Sequence, residues 1–169
     1  ITQIGSAPGS YYGYNAIGVY QNAEDVANSA VIKNANGTAQ SKPGQLKFQD
    51  VNGDGVITTA DRTILGDPFP DFTYGMTFNA AYKGFDLVVL GQGVTGNQIF
   101  NALRRFDLTT ANYTTDILNR WTGEGTSNSE PRVTNGGHNY EVSDRFVEDG
   151  SFLRLRNIQV GYNFKEVAL

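Results

Sequence analysis

The densest run of side chains able to do chemistry lies at residues 50 to 61, which read Asp-Val-Asn-Gly-Asp-Gly-Val-Ile-Thr-Thr-Ala-Asp. The spacing is close to D-x-[DN]-x-[DN]-G, the opening of a calcium loop. A hard cation such as Ca2+ takes about six to eight oxygen ligands, and residues two apart in a tight loop turn their side chains towards one point. On this reading Asp50, Asn52 and Asp54 supply the first ligands, the Val56 carbonyl the next, Thr58 holds a water and Asp61 closes the shell. Gly55 permits the sharp reversal and Ile57 anchors the loop in a core.

An Asp in place of Glu at the closing position, followed by only a brief helical pattern from Ala60 to Leu65, resembles dockerin-type loops more than paired EF-hands. The expectation is a structural Ca2+ site of modest affinity. The same residues also suit an Asx-rich turn in which Asp50, Asn52 and Asp54 cap one another without metal.

Other motifs carry less. Gly91 to Gly96 matches G-x-G-x-x-G and precedes NQIFNALRRF, which could be helical, but no second strand ending in an acid follows, since LTTANYTT from Leu108 is polar. A strand end and turn is the expected role. His138, the sole histidine, follows Gly136-Gly137 and reads as a loop residue. No G-x-S-x-G, H-E-x-x-H or P-loop occurs and nothing selects a pair of acids, so no enzyme is expected.

Charge and composition narrow the class. The net charge of −4 is spread without a cationic face, which argues against nucleic acid as a partner. The absence of cysteine removes disulfides and thiolate chemistry. The first residues carry no signal-peptide pattern, and no apolar run of about 18 residues is present, so any bilayer role would fall to strands closed into a barrel. Twenty glycines, nine tyrosines and ten phenylalanines favour turns and aromatic strands, and hence an all-β fold.

Strands must position these residues. From Thr73, Tyr74, Met76, Phe78, Ala80 and Tyr82 alternate with Gly75, Thr77, Asn79 and Ala81, Lys83-Gly84 makes a turn, and Phe85, Leu87 and Val89 resume the apolar face. This predicts a β-hairpin over 73–93. A further strand is predicted over 151–165, with Phe152, Arg154, Arg156, Ile158, Val160 and Tyr162 on one face, apolar in its second half and bearing both arginines at the other end. Thr115 to Trp121 reads as a short helix capped by Thr114 or Thr115, with Ile117, Leu118 and Trp121 on one face.

The segments 21–72 and 94–150 are too long for links in a compact sandwich. Strand parity puts both on the side opposite Lys83-Gly84, which is the short-turn, long-loop layout of an outer-membrane barrel. Tyr74 and Tyr82 would then lie at the two lipid interfaces with Phe78 between them, and Asn79, Asp86 and Gln92 would face a wet lumen. A β-sandwich with its apolar face inward shares the alternation.

Four segments, GSYYGYNAIGVYQ (9–21), GQLKFQDVNGDGVITTADRTILGDPFPDFTYG (44–75), YKGFDLVVLGQGVTGNQIFN (82–101) and SDRFVEDGSFLRLRNIQVGYNF (143–164), resemble the SusC/RagA-like TonB-dependent receptors of Bacteroidetes in content and order. The resemblance implies a plugged barrel of about 22 strands in the Gram-negative outer membrane. It also implies import of glycans or peptides with energy from the TonB complex, and a SusD-like surface lipoprotein as lid. The chain lacks the plug and most strands, so the expectation is part of a barrel region. That region comprises 1–20 leading in, 21–72 and 94–150 as extracellular loops, and strands at 73–93 and 151–165. Tyr113, Trp121 and Tyr140 are the loop aromatics expected to stack on sugars, with packing among the loops as the other reading. The alternative class is a secreted calcium-stabilised β-domain for adhesion or carbohydrate binding.

Overall fold

The computed structural model describes residues 4–103 and 113–164. The predicted segments that reach residues 1–3, 104–112 and 165 extend there beyond the described residues. The chain divides into two compact units, Ile1–Gly66 with Phe100–Glu148, and Asp67–Ile99 with Asp149–Leu169.

The first unit is built from short elements. Strand β1 (Tyr11–Gly13) pairs antiparallel with β4 (Thr63–Gly66), and β2 (Ala16–Val19) with β3 (Leu46–Phe48). Between β2 and β3 lies helix α1 (Ala23–Ala27), whose Asn22 cap accepts from the Asp25 N–H at 2.8 Å. Glu24 and Asp25 complement the positive end of that helix. The core gathers Tyr14, Val19, Leu46, Phe48 and Ile57, with Tyr14 stacked on Phe48 at 4.9 Å between ring centroids. Such a core is small, so hydrogen bonds between loop segments carry much of the unit's order.

The second unit is a three-stranded antiparallel sheet in the order β5 (Phe72–Tyr82), β6 (Phe85–Thr95), β9 (Phe152–Tyr162). Two shorter strands, β7 (Gln98–Phe100) and β8 (Val147–Asp149), form a separate pair. The β5–β6 register is unbroken from Phe72↔Thr95 to Tyr82↔Phe85. Lys83 (φ 48°) and Gly84 (φ 86°) close it as a two-residue turn with both central residues left-handed, whose twist suits a hairpin. Lysine in that conformation costs about 1 kcal/mol, which the long ladder offsets.

Three local expectations are corrected. Thr115–Asn119 is a 3-10 turn after Thr114, with Leu118 exposed, so Ile117, Leu118 and Trp121 do not share one packed face. Residues after Ala60 form only the 3-10 turn Thr59–Asp61 before β4 begins, since Thr63 and Ile64 suit a strand better than a helix. Gln98 to Phe100, the start of the helix considered at NQIFNALRRF, is strand.

Candidate functional site

In the loop at 50 to 61, acids bind backbone N–H groups in sequence. Asp50 accepts from the Gly53 and Gly55 N–H groups, both at 2.7 Å, and Asp54 accepts from Val56 at 2.7 Å. Asn52 accepts from the Asp54 N–H and donates through Nδ2 to the Asp54 carboxylate. Gly53 and Gly55 both have positive φ, 77° and 76°, which lets the chain wrap this tightly. Val56 bridges to Val31, the Ile57 N–H donates to the Val31 carbonyl at 3.0 Å, and the Ile57 side chain is buried in the core.

Asp61 is wholly buried and turned towards the loop's own backbone. One carboxylate oxygen accepts from Val51 and Asn52, and the other from the Thr58 N–H at 2.7 Å and its hydroxyl at 3.4 Å. Thr58 and Asp61 thus cap the short 3-10 turn reciprocally. Burial pushes the Asp61 pKa up, but the hydrogen bonds from Thr58, Val51 and Asn52 together outweigh it and hold the group below the ordinary carboxylate value.

These donor sets bear on a hard cation unequally. Asp61 has its acceptor capacity filled by four donors, whereas the Asp50 oxygens carry one N–H each. Among the described residues no three His, Cys, Asp or Glu side chains gather as a metal cluster. An ion here would be held by the Asp50 to Val56 half, with Asn52 and carbonyl oxygen completing the acids.

The loop aromatics are placed differently from one another. Tyr113 is exposed. Trp121 packs against the core cluster. Tyr140 is half-buried and donates its hydroxyl to the Thr134 carbonyl. Trp121 lies over Gly44, where an added Cβ would fall 2.5 Å from the ring and 2.8 Å from Arg132 Cδ. Gly44 also has φ +83°. Gly44→Ala should therefore cost about 1–3 kcal/mol through overpacking and backbone strain. Amide exchange in 44–46 and at Arg132 should speed up accordingly, and unchanged exchange would show that the site relaxes freely.

The hydrogen bonds that tie residues 19–62 to residues 125–141 have no marker in the sequence pattern. The Val19 N–H donates to the Asn128 side chain at 3.1 Å and the Leu46 N–H to the Asn139 side chain at 2.9 Å. Asn139 is itself buried, and the Arg132 N–H donates to the Gly44 carbonyl at 2.7 Å. Gln21 exchanges hydrogen bonds with Ser127 and Gly125, and Arg62 pairs with Glu141 at 3.3 Å. His138 starts a 3-10 turn in this region, and burial lowers its pKa against the opposing charge of Glu141.

The sheet has two unlike faces, because directly paired residues in an antiparallel ladder share a side. One face carries the rows Tyr74–Gly93–Leu153, Met76–Gly91–Leu155, Phe78–Val89–Ile158, Ala80–Leu87–Val160 and Tyr82–Phe85–Tyr162. The other carries Gln92, Arg154, Asn79, Asn157, Gln159 and Asp86, with Leu90 and Val88 among them. A bulge in β9 opposite Leu90 and Gly91 admits Arg156 as an extra residue, so Leu153 and Leu155 join Ile158, Val160 and Tyr162. The strict alternation expected along β9 is thereby corrected. Phe152 and Arg154 lie opposite the face of Ile158, Val160 and Tyr162.

The apolar face is open: Phe78 is 56% exposed, Val160 69% and Met76 73%. It is bounded by Phe72 stacked on Tyr74 at one end and by Tyr82, Phe85 and Tyr162 at the other. Phe72 to Tyr82 spans about 34 Å along a strand, which at a tilt of about 40° is about 26 Å of height. Among the described residues no helix is long and apolar enough to cross a membrane.

No family model matches the chain. Among curated proteins, it is 38% identical over 167 residues to "TonB-dependent receptor P3" of Formosa agariphila, and 29% identical over 166 residues to "TonB-dependent receptor P26" of the same organism. It is also 29% identical over 166 residues to "TonB-dependent receptor SusC" of Bacteroides thetaiotaomicron. These alignments take in 98%, 95% and 98% of the chain, but only 16%, 16% and 14% of the relatives' own lengths. Along nearly its whole length, then, the chain is similar to one segment of curated TonB-dependent receptors of Bacteroidetes, SusC among them.

Proposed function

We propose that this segment is part of the barrel wall and outer loops of a TonB-dependent outer-membrane transporter that imports glycans or peptides. The observation that carries it is the open apolar face of β5, β6 and β9, bounded by aromatic rows and backed by a polar face. A protein interior would cover such a face, whereas a bilayer matches its height of about 26 Å against a hydrocarbon-facing band of about 25 Å. Each strand has eleven residues, within the roughly 9–11 that a tilted strand needs to cross. In this reading the polar face lines the lumen, and 21–72 and 94–150 lie outside the cell, where they meet substrate and a SusD-like lipoprotein. TonB acts on other parts of the receptor.

A full-length receptor carrying this segment should remain in the outer-membrane fraction and require detergent to stay monodisperse. A chain monodisperse in buffer alone would instead be the secreted β-domain.

We also propose that Ca2+ binds the loop through Asp50, Asn52, Asp54 and the Val56 carbonyl, with Asp61 holding the loop closed and Thr58 supporting that closure. The support is the partly free acceptor capacity of Asp50 and the two left-handed glycines. The ion would contribute stability and no chemistry. Calcium should slow proteolysis within 46–66 in the full-length receptor, and a chelator that leaves cleavage unchanged would refute the site.

A further inference from the structure

The apolar face is not uniformly filled. Its two glycines, Gly91 and Gly93, stand two apart on β6 and differ in what covers them. An added Cβ at Gly93 would run into the Tyr74 ring, which lies across it. An added Cβ at Gly91 would meet nothing within 4 Å. Above Gly91 is a cavity of about 210 Å³ walled by Met76, Phe78, Val89, Leu153 and Leu155; Arg154, which the register puts on the opposite face, also borders it.

We propose that this notch seats one lipid acyl chain, a site that rests on the membrane reading of the sheet. Its walls offer an occupant almost only hydrocarbon, so a solute arriving from water would lose hydrogen bonds without replacement. Its depth identifies the source. The Met76–Gly91–Leu155 row lies inside the aromatic boundary of Phe72 and Tyr74, at the level of chains and not of headgroups. An empty notch would forfeit dispersion contacts on every wall, whereas a flexible chain entering from the side restores them. The neighbouring rows Phe78–Val89–Ile158 and Ala80–Leu87–Val160 contain no glycine, and Phe78 and Val89 of the first wall the notch on that side.

The test uses a full-length receptor in phosphatidylethanolamine–phosphatidylglycerol vesicles doped with phosphatidylethanolamine bearing a diazirine midway along one acyl chain. After illumination, adducts are mapped by mass spectrometry. Adducts at Met76, Val89 and Leu155 should exceed those at Ala80, Leu87 and Val160 by about fivefold, a preference of about 1 kcal/mol. Gly91→Leu, which has open space to enter, should level the two sets, and Gly91→Ala should reduce the difference in part. An even distribution in the wild type, or an enrichment that Gly91→Leu leaves intact, would overturn the seat while the membrane reading stands. Adducts absent from the whole face would overturn both.

Discussion

Phe78→Lys should destabilise the folded receptor in lipid by about 2–4 kcal/mol, the cost of a cation on the lipid side near the bilayer midplane. Phe78 stands four residues from both Tyr74 and Tyr82, so it is the position of β5 furthest from either interface, where a lysine has the longest reach to water. Asn79→Lys, one residue on but on the opposite face, should change stability by less than about 1 kcal/mol, because its side chain is already among polar neighbours in the lumen. Denaturant unfolding of the full-length receptor in vesicles measures both. Equal costs at 78 and 79 would mean that neither face meets hydrocarbon, and a larger cost at 79 would invert the assignment.

The second large effect is expected at Asp61. Asp61→Ala removes a buried carboxylate and leaves the N–H groups of Val51, Asn52 and Thr58 without their acceptor. Each buried orphan donor costs about 1–3 kcal/mol, reduced where water reaches the loop, so a total of about 3 kcal/mol is expected. Asp61→Asn should fall between, since its amide oxygen can serve only one side of the clamp.

A pH dependence accompanies this clamp. The folded Asp61 pKa lies below its unfolded value of about 3.9, so its contribution is complete above that value and is lost as pH falls through the folded pKa. Protection of the Val51, Asn52 and Thr58 amides should therefore hold from about pH 5 upwards and decline below about pH 4. Asp50→Ala distinguishes the ion from the clamp, because it should abolish the calcium effect on proteolysis while the Asp61 bonds persist. A variant at Asp50 that still responds to calcium would remove the proposed ligand set.

The hairpin at Lys83-Gly84 was legible because Phe72 to Tyr82 alternates without interruption and the turn carries the one residue type that tolerates left-handed backbone freely. β9 was legible as a strand but not in its facing. Leu153 and Leu155 are odd-numbered and Ile158, Val160 and Tyr162 even-numbered, a change of parity that a bulge at Arg156 resolves and that a strict period of two cannot express. In the loop, the spacing of Asp50, Asn52 and Asp54 with the two glycines foretold the wrap, and Ile57 the anchor. The direction of Asp61 was not foretold, since it depends on the 3-10 turn that Thr58 caps. The asparagines that join the long segments, Asn128 and Asn139, lie about a hundred residues from their partners and have no periodic pattern to mark them. Trp121 and Tyr140 showed in the sequence as aromatics, but the space over Gly44 that receives Trp121 did not.

The most direct measurement is nitroxide scanning of β5 and β6 in the full-length receptor in vesicles, with single cysteines introduced into a segment that contributes none of its own. Accessibility to oxygen, which concentrates in hydrocarbon, is compared with accessibility to a water-soluble nickel chelate at each site. Labels at 76, 78, 80, 87 and 89 should favour oxygen, and labels at 77, 79, 86, 88 and 92 should favour nickel, alternating in phase with the register. No alternation, or protection of 76, 78, 87 and 89 from both reagents, would place this face in a protein interior and contradict the account.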